Sequence, residues 1–149
     1  MNQRSMSEKA EQLSRRRARA LPVLGIIFLA QQASFLSMPG DASRPVDHLK
    51  ISAWLVLTIV LLAGLATGGA WFRPRAVREL VNDESTRAHR QLAYVYGFWA
   101  AMGTALGIYV VNMFEVVSGR DAVHIIVTVA VATALLNFGM LERRALRDA

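Results

Sequence analysis

Residues 51–72, ISAWLVLTIVLLAGLATGGAWF, run for 22 positions without an Asp, Glu, Lys or Arg. An α-helix rises about 1.5 Å per residue, so this stretch is long enough to cross a hydrocarbon core about 30 Å thick. Three further charge-free runs accompany it: 21–40 (20 residues), 91–114 (24 residues) and 122–141 (20 residues). Together the four take up 86 of the 149 residues, which leaves too little chain for a second soluble domain. With 54% hydrophobic residues and a mean hydropathy of +0.32, the chain is expected to be an all-α membrane protein with four transmembrane helices.

Charge orients these spans. Of the 17 basic residues, 14 lie in the N-terminal segment, the loop 73–90 and the C-terminal tail, and only Arg44, Lys50 and Arg120 lie in the two other loops. The positive-inside rule then places both termini and the loop 73–90 in the cytoplasm, giving two antiparallel hairpins in an inner membrane. Residues 1–20 form a basic cytoplasmic arm and residues 21–149 the transmembrane domain. The first span is expected to be an uncleaved anchor, with Pro22 in its first turn and Pro39-Gly40 at its end. The arm has no sizeable apolar face, so it is expected to fray, its arginines meeting anionic headgroups.

The same arithmetic excludes function classes. With no cysteine there is no disulfide framework, thiolate metal site or cysteine nucleophile. The basic surplus lies beside the spans, where translocation and lipid account for it without nucleic acid. No G-x-S-x-G, H-E-x-x-H or phosphate loop is present, so neither an enzyme nor a cofactor is expected. Asp121 and His124, three residues apart on the non-cytoplasmic side, are weak candidates for a metal site, with helix capping by Asp121 the plainer alternative.

Helices in a bilayer associate through close backbone approach, so small residues mark contacts. Gly64 and Gly68 in the second span and Gly103 and Gly107 in the third form two GxxxG motifs, expected to pack spans two and three together, with homodimerisation as the alternative. Polar groups inside the spans are mild. Gln31 and Gln32, Asn112 and Asn137 are candidate lining residues for a small oligomeric transporter or channel component, or are satisfied by neighbouring helices. No carboxylate or Lys lies at mid-depth.

The loop 73–90 is long for a helical hairpin and mixed in charge. Its run 82–90 (NDESTRAHR) carries side chains that cap a helix, so span three is expected to begin early and to project Asp83, Arg87 and Arg90 along one side. Asp83, Glu84, Arg87 and Arg90 are the candidate docking surface for a protein partner. This run, leading into 93–100 (AYVYGFWA), resembles the DE-x-T-R…R…A…G-F approach to a span in uncharacterised small bacterial membrane proteins. The resemblance covers about twenty residues and implies a membrane-tethered regulatory partner. A non-enzymatic interaction or regulatory protein acting through its basic cytoplasmic face is therefore the leading expectation, and the transporter component the alternative.

Overall fold

The computed structural model describes residues 3–36, 45–68 and 84–148, all of whose regular structure is helical. Four helices follow in order: α1 (Gln3–Leu36), α2 (Pro45–Ala66), α3 (Glu84–Val111) and α4 (Gly119–Asp148). Three of them, α2 from Val46, α3 and α4, are long and apolar enough to cross a membrane. In α1 the apolar stretch is shorter, Ala18–Gln32. Residues 73–83 of the expected loop 73–90, with Asp83, and the Pro39-Gly40 stop lie outside the described residues.

The basic arm does not form a separate segment. It is continuous with the apolar part of α1, which runs 34 residues from Gln3. Its Ala, Glu, Gln, Arg, Lys and Leu are strong helix formers, and extending an existing helix avoids the cost of a new nucleus. Pro22 consequently sits in the helix interior rather than in a first turn. α2 begins at Pro45, where the missing N–H costs nothing, and carries Asp47 in its first turn. It ends in a turn in which the Thr67 N–H donates to Ala63 O (3.0 Å) and the Gly68 N–H to Leu65 O (3.3 Å). Gly68 has φ 64°, the left-handed conformation that only glycine adopts without strain. Its role is helix termination.

α4 starts on a reciprocal cap. The Ser118 hydroxyl accepts from the Asp121 N–H (3.1 Å) and donates to Asp121 Oδ2 (2.7 Å), so Ser118 is the N-cap and Asp121 answers it from the first turn. The Asn112 Oδ1, past the end of α3, accepts the Val117 N–H (2.8 Å) and holds the short connection together.

The last helix organises the molecule. α4 packs extensively against both α3 and α1 and less extensively against α2. A Cβ on Gly139 would stand 2.5 Å from Pro22 Cγ and Cδ, and one on Gly25 would stand 3.2 Å from Leu136. α1 and α4 therefore run antiparallel at backbone contact. Gly97 similarly meets Ala130 and Ala134, which sets α3 antiparallel to α4. α1 thus has α4, not α2, as its main neighbour, and the first expected hairpin is not a closely packed pair. Nor do the GxxxG motifs join spans two and three: a Cβ on Gly64, Gly103 or Gly107 would meet nothing within 4 Å. The close approaches fall instead at Gly25, Gly97 and Gly139, which no GxxxG spacing marks. The exposed apolar flanks of α2 and α3, among them Val56, Ile59, Phe98, Trp99 and Leu106, are surfaces that a bilayer would cover.

Candidate functional site

Buried polar side chains gather at both ends of α4. The end holding the arginines of α1 and α4 is here called the basic end, the other the loop end.

At the basic end the centre is Glu142, only 5% exposed. It continues the buried row Val131, Leu135, Phe138 at helical spacing, which turns its carboxylate inward although the two residues after it, Arg143 and Arg144, are exposed. Two residues one turn apart at the start of α3 meet it. The Thr86 hydroxyl donates to Glu142 Oε1 (3.2 Å), and His89 Nδ1 lies 3.0 Å from the same oxygen. Burying a carboxylate is costly unless donors surround it, and α3 supplies them. Arg90 adds a second tie: its guanidinium donates to the Ala66 carbonyl (2.8 Å), one of the carbonyls that the end of α2 leaves without an intrahelical partner. Arg90 is thereby committed to holding α2 rather than displayed for docking. Of the other docking candidates, Glu84 and Arg87 are exposed, and Asp83 is not among the described residues.

At the loop end the centre is Trp54. Its indole Nε1–H donates to the Thr128 hydroxyl (3.2 Å), and its ring stacks on His124 with centroids 4.1 Å apart and planes 28° from parallel. His124 and Thr128 lie four residues apart on one face of α4, so a single α2 side chain covers both. Thr128 is 0% exposed. On α1, Gln32 continues the buried row Ala18, Leu21, Gly25, Phe28, and extending the Pro22–Gly139 register outward brings it level with residues 128–129. Its carboxamide is buried, and neither Oε1 nor Nε2 has a hydrogen-bond partner.

The remaining candidate lining residues do not converge on Gln32. Gln31 is half-buried on the neighbouring face. Asn112 caps the α3–α4 connection, and Asn137 Nδ2 donates to the Thr133 carbonyl of its own helix (2.9 Å). As for metal binding, Asp121 is engaged by Ser118 and His124 is stacked under Trp54. No group of three or more His, Asp or Glu that could hold an ion occurs among the described residues. No family model, curated protein or solved structure matches the chain.

Sequence reasoning missed Thr86, His89 and Glu142 as a unit, and Trp54 with Thr128. Glu142 sits in the run LERRALRD, which reads as a solvated tail. The usable signal is its four-residue step from Phe138, which keeps it on the buried row.

Proposed function

We propose that this chain is a four-span integral protein of a bacterial inner membrane, with both termini cytoplasmic, that acts without chemistry of its own by presenting its basic cytoplasmic face to a protein partner. From Leu21, past the last arginine, to Leu36, α1 rises roughly 24 Å without a charged residue, most of a hydrocarbon core, which supports a fourth span. The observation that carries the docking role is the construction of the start of α3. It is tied to α4 through Thr86 and His89 and to α2 through Arg90, yet it leaves Glu84 and Arg87 exposed. A rigidly held helix end spares a partner the cost of ordering the backbone, and its two side chains offer both signs of charge. The alternative, a small oligomeric transporter component, is favoured by the buried Gln32 carboxamide alone.

Two outcomes are expected. Alkaline phosphatase fused after Asp148 should be inactive and fused at Ser43 or Gly119 active; strong activity after Asp148 overturns the orientation. Pull-down of the full chain in mild detergent should recover a stoichiometric protein partner that the doubly substituted Glu84→Ala, Arg87→Ala chain loses at unchanged expression and thermal stability. Equal recovery by both chains removes the docking role.

A further inference from the structure

We propose that the furrow between α1 and α4 at the basic end binds the phosphate of an acidic phospholipid headgroup. The inference goes beyond the docking surface on α3 and rests on the membrane-spanning placement of α1 proposed above. Its geometry follows from the crossing of Pro22 and Gly139. Arg19 stands three residues back from that crossing along α1, and Arg143 and Arg147 stand four and eight residues on along α4. Because the helices are antiparallel, both directions lead to the basic end. Spacings of three, four and eight return to one side of a helix, so these positions border a single furrow. These three arginines are exposed, and Ala18, 1% exposed, forms the floor. Arg16 and Arg144, six and five residues from the crossing, fall on other flanks.

Glu142 does not cancel the furrow's charge from within α4. Glu142, directly before Arg143, is turned away toward Thr86 and His89. Guanidinium groups on two facing rows suit a phosphate, which accepts paired N–H donors in a fork. What selects a lipid over a soluble anion is the continuation of the furrow toward the apolar part of the bundle. Four residues on from Pro22 is Ile26, 58% exposed, and three residues before Arg143 is Met140, 46% exposed. Arginines followed by exposed apolar side chains reproduce the order of headgroup and acyl chain, and basic furrows between helices at the membrane boundary are the setting in which acidic headgroups bind.

The test is native mass spectrometry of the purified full chain in detergent, titrated with phosphatidylglycerol, with phosphatidylcholine and with phosphatidylglycerol plus excess inorganic phosphate. Phosphatidylglycerol should bind in preference to phosphatidylcholine and persist against inorganic phosphate. Arg143→Gln with Arg147→Gln should weaken it about tenfold, whereas Arg16→Gln with Arg144→Gln, an equal loss of charge off the furrow, should leave it within about twofold. If the α4 pair disturbs folding, Arg19→Gln is read in the same way. Equal losses in furrow and control variants, equal binding of the two lipids, or displacement by inorganic phosphate overturns the proposal. Because lipid binding is read on the isolated chain, its failure is distinct from loss of a protein partner.

Discussion

Replacing Glu142 with Ala should destabilise the purified protein by about 2–3 kcal/mol, read as a fall in thermal midpoint or in resistance to denaturing detergent. The carboxylate receives the Thr86 hydroxyl and lies 3.0 Å from His89 Nδ1 in a buried setting. Truncation therefore removes the acceptor that Thr86 and His89 share and leaves a void beside the buried Thr86 hydroxyl, which costs more than the bond itself was worth. Glu142→Gln keeps an acceptor at nearly the same place and should cost less than the alanine variant. Thr86→Val removes one neutral donor and should cost about 1 kcal/mol. Since the three side chains share one oxygen, Thr86→Val should add little on top of Glu142→Ala, a coupling that a double-mutant cycle measures. An alanine variant as stable as the parent would mean that the carboxylate does not clamp α3 to α4.

Gly139→Ala should be nearly as damaging, about 1–3 kcal/mol, for a steric reason. The added Cβ would stand 2.5 Å from two ring carbons of Pro22 and 3.2 Å from its nitrogen. A pyrrolidine ring cannot swing aside as a long side chain can, so α1 must move off α4 and give up dispersion contacts along the seam. Removing the ring tests this directly: Pro22→Ala combined with Gly139→Ala should recover most of the loss. Gly103→Ala and Gly107→Ala supply the contrast, because a Cβ there meets nothing within 4 Å and helix propensity favours Ala over Gly, so each should leave stability unchanged or raise it by up to about 1 kcal/mol. If these two cost as much as Gly139→Ala, the glycines of α3 are packed against a second copy of the chain, and homodimerisation through α3 is revived.

The helices were legible because charge-free length is a strong signal and its physical cause is local: every backbone group in lipid must be bonded within its own segment. The caps were partly legible. Asp121 was read as capping the last helix, but Ser118 takes the N-cap and Asp121 the answering position, a shift of three residues that changes which backbone group each satisfies. Packing partners were much less legible. Four-residue glycine spacing names helices that allow close approach and says nothing of which flank faces a neighbour, so Gly64, Gly103 and Gly107 were matched to each other while Gly25, Gly97 and Gly139 make the contacts. The polar clusters failed for a related reason. Glu142 and His89 lie 53 residues apart and each has an ordinary solvated explanation in its own neighbourhood; only the register between α3 and α4 brings them together. Arg90 shows the opposite error, since an apparently displayed charge is spent on a carbonyl 24 residues earlier.

The position of α4 at once as the fourth helix in sequence and the hub of the packing bears on how the molecule is made. During synthesis α1, α2 and α3 emerge before the surface they pack against exists, and among the described residues they share few contacts with each other. Until residues 119–148 are inserted, Gly25, Gly97 and the face of Trp54 have no counterpart, and Thr86 and His89 lack the carboxylate they meet. Assembly is therefore deferred until α4 is made rather than proceeding hairpin by hairpin, and the early helices carry uncovered packing faces that can mispair in the interval.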